Sequence, residues 1–85
     1  MTTKEEISDW FDYGLKSNKK YLLIVCDTFD YEDYPMYALS DEDCVEKYNS
    51  HDGLNMQKVM EVYDLSLDKQ SQLNEYRAKH LPKTL

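Results

Sequence analysis

At 85 residues the chain has room for one domain, residues 1–85, and a chain of this size buries only about 60–65% of the surface its unfolded form exposes. Its 41% hydrophobic and 13% aromatic content excludes a disordered polymer, despite 32% charged residues. Seventeen acidic against ten basic residues give a formal net charge of −7, which repels phosphate backbones and excludes ordinary direct binding of DNA or RNA, while suiting a protein partner with a basic surface.

Taken in chain order, Thr3-Lys4-Glu5-Glu6 has the form of a capping box and starts a helix. Ile7, Trp10, Phe11 and Leu15, with Gly14 between, follow the rhythm of one apolar stripe and are expected to face a sheet, with Trp10 packed on it. Ser17-Asn18-Lys19-Lys20 ends this helix with cations, and Asn18 suits a left-handed terminus. A first strand over 20–27 is apolar at successive positions, so both of its faces should be covered and it should be central. A second strand over 34–39 contains Pro35, which belongs near a strand start or on an edge. Together they form a β-hairpin around an acidic, aromatic turn.

Ser40-Asp41-Glu42-Asp43 offers a second capping box, leading into a short helix with Val45 and Tyr48 inward and a closing loop over 49–53. Met56 to Leu65 reads as helix by content and as strand by its Val-x-x-Val-Tyr ending; a strand over 58–64 pairing with the hairpin makes a stable sheet and is preferred. Ser66 is expected to cap a last helix with Leu73, Tyr76 and His80 on one side, stopped by Pro82, before a frayed tail. The predicted class is α+β, a three-stranded, mostly antiparallel sheet with packed helices in the order α-β-β-α-β-α.

No apolar run approaches the roughly 18 residues of a membrane span, the N-terminal residues lack the apolar core of a signal peptide, and Cys26 and Cys44 show no CxxC spacing. A cytoplasmic protein without membrane contact is expected. Cys26 should be a buried small hydrophobe, and Cys44 has acidic neighbours that raise a thiol pKa, so neither suits a nucleophile. His51 and His80 form no local ligand pair; His80 suits a cation at a helix C-terminus. With only Gly14 and Gly53 there is no phosphate cradle, and no nucleophile elbow or dinucleotide fingerprint exists, so no catalytic residue is assigned.

The acidic turn is the densest cluster of carboxylates and tyrosines. Asp27, Asp30, Glu32 and Asp33 could converge on a hard cation, but the spacing is not that of a calcium loop, so no metal ligand and no cofactor is assigned. Asp30, Tyr31, Glu32, Asp33 and Tyr34 form the candidate partner-binding surface, since aromatic rings flanked by carboxylates are good anchors for basic groups.

The blocks Val25 to Pro35 and Asn55 to Leu65, continuing to His80-Leu81, resemble a group of small uncharacterised proteins of bacteria and their phages. The resemblance covers nearly the whole chain, implies a compact cytoplasmic domain, and transfers no activity or site. The expected function is a non-enzymatic interaction domain whose acidic surface binds a basic protein partner, as a phage or host modulator. The alternative is a small metal-dependent enzyme or ligand-binding domain using the Asp27 to Asp33 carboxylates. A homodimer joined through a sheet face or edge is compatible with the first.

Overall fold

A computed structural model describes residues 3–53, 56–75 and 78–82. The elements follow the order α1 (Lys4–Lys16), β1 (Tyr21–Asp27), β2 (Glu32–Ala38), α2 (Asp41–His51), β3 (Gln57–Asp64) and α3 (Lys69–Leu73). The sheet is antiparallel throughout, with strand order β2-β1-β3. The expected α+β class and element order therefore hold, with β1 central.

Helix α1 starts where Thr3 Oγ1 accepts the Glu6 N–H at 3.2 Å, and it ends before Asn18, whose φ of 60° is the left-handed turn expected there. Ile7, Phe11 and Gly14 are its buried face; Trp10 packs at the rim, half-buried, and Leu15 is 49% exposed rather than inward. The reason lies at Gly14. A Cβ there would stand 2.8 Å from Leu65 Cδ1 and 2.9 Å from Tyr37 Cε1, so only glycine lets the helix seat on these two side chains, and its neighbour Leu15 is turned away.

Residues 21–25 of β1 are all buried, as a strand with two covered faces requires. Leu22 and Ile24 face α1 in a core with Ile7, Phe11, Tyr63, Leu65, Leu73 and Ala78. Tyr21, Leu23 and Val25 face α2 in a second core with Ala38, Cys44, Val59 and Val62. Strand β2 begins at Glu32, two residues before the expected start, because Asp27 pairs with Glu32 and Cys26 with Asp33. The acidic residues of the turn are thus partly ladder residues, and Cys26 is only half-buried at this end of the sheet.

Strand β3 carries a bulge between its pairings with Ile24 and Val25, where Ile24 opposes Glu61 and Val25 opposes Val59. Val59 and Val62 are three apart and would point to opposite faces of a regular strand; the extra residue, Met60, brings both into the α2-side core. This is why Val-x-x-Val also resembles a helical spacing.

The two sheet edges are protected to different degrees: β3 is covered and β2 is blunted. Val62 donates its N–H to Ala78 O at 2.8 Å and its carbonyl accepts the His80 N–H at 2.9 Å, so an extended segment around Lys79 covers the outer side of β3 with a parallel bridge. Those bonds point Val62 away from β1, so its partner Leu23 directs its own backbone to β2. By alternation, Ile24 serves β3, and Pro35 opposite it is asked for no donor by β1. The outward groups of β2 are therefore those of Asp33, Pro35 and Tyr37, and the central one lacks an N–H, which blunts this edge.

Helix α2 begins where Ser40 Oγ accepts the Asp43 N–H at 3.1 Å, and it continues through Asn49 and Ser50 to His51, three residues into the expected loop. Cys44 is its buried residue, with Tyr48 half-buried beside it and Val45 less central than expected. The last helix is capped by Asp68, which accepts the Ser71 N–H at 2.8 Å, and not by Ser66, which bonds Asp64 instead. It ends at Leu73. Buried Gln72 holds it to the end of β3, accepting the Asp64 N–H at 2.7 Å and donating to the Asp64 carbonyl at 2.9 Å. His80 is accordingly no helix terminus; it lies in the extended segment, because Ala78 fills one core and Leu81 packs on the other, which a helix face cannot do. Tyr76 lies outside the described residues.

Phe11 is 1% exposed at the centre of its cluster whereas Trp10 sits at the rim, its carbonyl accepting from the Tyr37 hydroxyl at 2.9 Å. Phe11→Ala should cost about 3–5 kcal/mol and Trp10→Ala distinctly less, as measured by urea denaturation. Equal or reversed costs would contradict this placement of the helix.

Candidate interaction surface

The hairpin turn is built by Asp27. Its Oδ1 accepts the Phe29 N–H at 2.8 Å and its carbonyl accepts the Tyr31 N–H at 2.6 Å, which folds residues 28–31 into a four-residue loop. Closing the loop places Tyr31 at a φ of 58°, a left-handed conformation that glycine or asparagine adopts at lower cost than a bulky aromatic residue. The ring so displayed is 76% exposed, and the neighbouring Phe29 ring is 70% exposed.

A second segment reaches the same end of the sheet. The Thr28 N–H donates to Met56 O at 2.8 Å, and Met56, also left-handed at a φ of 59°, is 58% exposed. Phe29, Tyr31 and Met56 are thus exposed at the same end of the sheet, beyond the β1 ladder. Around them Asp30 and Glu32 are exposed and Asp33 is half-exposed, and none of Asp27, Asp30, Glu32 and Asp33 forms an ion pair among the described residues.

Of the residues chosen from sequence, Asp30, Tyr31, Glu32 and Asp33 lie at this tip. Tyr34 does not belong with them as a free ring: it is half-buried against the α2-side core, and its hydroxyl accepts from Gln57 Nε2 at 2.5 Å across the central strand. Phe29 and Met56 also lie exposed at this tip, outside the run Asp30 to Tyr34 that the sequence points to. The signal for Phe29 was its place between Asp27 and Asp30 in the turn; for Met56 there was none, since it depends on the β1–β3 register.

The tip's carboxylates do not converge: Asp27 is committed to the turn amides, and among the described residues no group of three or more His, Cys, Asp or Glu is arranged to hold a metal ion. Elsewhere a shallow groove of about 430 Å³ brings Tyr21, Asp41, Asp64 and His80 together. Each of these polar side chains already has a partner. Tyr21 donates to Asp41 at 2.8 Å, Lys20 pairs with Asp41 at 2.9 Å, Asp64 accepts from Ser66, and His80 lies 2.6 Å from Glu75. The Tyr21 and Lys20 contacts with Asp41 tie the start of β1 to the first turn of α2. No known protein family, curated protein or solved structure matches the chain.

The interior resists ionisation. Burial, then the Asp41, Asp43 and Asp64 carboxylates, push the Cys44 thiol from about 9 up to about 11. Burial, then a hydrogen bond to Glu61, raises the Tyr63 phenol, and burial with a hydrogen bond to Asp41 raises that of Tyr21. Each group is held neutral in the fold while the unfolded chain ionises first, so this stability is fully present below the ordinary thiol value and is lost as pH rises from about 9 through about 11. The urea midpoint should fall across that interval, and Cys44 should resist alkylation at pH 8 until denaturant is added. A flat midpoint to pH 11 would contradict the assignment.

Proposed function

We propose that this chain is a non-enzymatic protein-interaction domain that docks a basic partner protein through the hairpin tip, and we place it in the cytoplasm, where its two thiols would stay reduced. The observation that carries the reading is the tip itself: carboxylates at Asp30, Glu32 and Asp33 that form no ion pair among the described residues, beside a Tyr31 ring left largely in water. Exposed aromatic rings supply rigid contact area with a cation–π face, and unpaired carboxylates steer a basic surface toward them. In the rest of the chain, acidic residues are more often in use. Asp12, Asp41 and Asp43 hold lysines, Asp68 caps a helix, and Glu75 meets His80. Among the described residues no helix is long and apolar enough to cross a membrane.

An oligolysine peptide titrated into labelled protein tests the site. Amide shifts should concentrate at residues 27–34, and the double variant Asp30→Asn/Glu32→Gln should keep its stability within about 0.5 kcal/mol while associating more slowly. Added salt should shrink the difference between the two proteins. Equal binding by both across the salt series, or shifts centred on the first turns of α1 and α2, would move the electrostatic contact off the hairpin.

A further inference from the structure

Charge alone does not account for the tip. Phe29, Tyr31 and Met56 are three of the large hydrophobic residues that the fold leaves more than half exposed, and they sit at one end of the sheet, joined by the bond from Thr28 to Met56. Tyr13, Leu15, Leu39 and Leu67 are the other exposed large hydrophobics, on α1, after β2 and before α3; the Tyr13 ring packs on Tyr37, and none of the four lies beside the carboxylates of the turn. Scattered apolar side chains are ordinary on a surface, whereas a cluster rimmed by charge marks an interaction site.

Building on the docking function proposed for this tip, we infer that its occupant is a cationic amphipathic segment of the partner, whose apolar side chains cover Phe29, Tyr31 and Met56 while its Lys or Arg residues meet Asp30, Glu32 and Asp33. Complementarity selects this occupant over the others an apolar patch could take. A second copy would bring two acidic tips together in a chain of net charge −7, at a cost in repulsion. An anionic lipid surface or a nucleic acid is repelled by the same carboxylates. A purely cationic partner would leave the Phe29 ring in water. The rings form the centre of the contact and the carboxylates its rim, the usual division between hot spot and electrostatic edge.

The test compares a helix-forming lysine–leucine peptide with an oligolysine of the same charge, each titrated into wild type, Phe29→Ala and Met56→Ala. The lysine–leucine peptide should bind wild type about tenfold more tightly than oligolysine, and Phe29→Ala should remove most of that advantage, weakening the lysine–leucine peptide far more than oligolysine. Both side chains are exposed, so the variants should keep the wild-type urea midpoint; amide shifts at 28–32 and Met56 locate the contact. Equal affinity of the two peptides, unmoved by Phe29→Ala, would overturn the apolar centre and leave the electrostatic reading standing. Failure of both peptides to bind would overturn both readings. Phe29-dependent binding to vesicles of neutral phosphatidylcholine, with no preference between the peptides, would overturn the amphipathic protein partner in favour of a lipid surface.

Discussion

The complete enclosure of β1 is the constraint from which the rest of the structure follows. Five consecutive residues, Tyr21 to Val25, are buried, so α1 and α3 must cover one face and α2 the other, and both lateral sides must be paired. A chain this short achieves that only by having each element close one particular side of the strand. Gly14 brings α1 close, Cys44 and Tyr48 seat α2, and Gln72 fastens α3 to the end of β3. Once the faces are occupied by helices, β2 is blunted at Pro35 and β3 is strapped by Ala78 to His80, the conspicuous open surface is where the hairpin runs past the end of the sheet.

That end is also where the chain departs from what folding alone would choose. A turn closed at Tyr31 in a left-handed conformation, with a second one at Met56, asks for glycine or asparagine, and the strand pairings beneath it would be served as well by polar residues. The sequence keeps large apolar side chains at three exposed positions there instead. Asp27 meets the turn's need for local hydrogen bonds, so the remaining carboxylates stay available to solvent or to a partner.

Much of the fold was legible because its signals are local. The boxes at Thr3 and Ser40, the unbroken apolar run of β1 and the placement of Pro35 each have a physical meaning within a few residues, and each kept it. What was hidden depends on register or on competition. The Met60 bulge, which puts Val59 and Val62 on one face, is set by pairing with β1; Asp68 prevails over Ser66 as a cap because Asp64 captures Ser66 first. His80 was drawn into a helix by Leu73 and the distant Pro82, whereas the need to cover the outer side of β3 draws its segment into an extended bridge. At the tip, acids and one ring could be read from composition; Tyr34 could not be distinguished from them without knowing that its side of the ladder faces α2, and Met56 enters only through the backbone of Thr28.

The central claim is that β1 is sealed on both faces and both sides, leaving the hairpin end as the docking surface, and residue-resolved amide hydrogen exchange on the free protein tests it most directly. Amides of Leu22 to Val25 should exchange only through global unfolding, and Val62, held by Ala78, should be similarly slow, while the outward amides of Asp33 and Tyr37 exchange quickly at every protein concentration. Fast exchange at Val62 would mean that the β3 edge is open to a partner strand, and concentration-dependent protection at Asp33 and Tyr37 would mean that copies pair through β2. Either result would contradict the account.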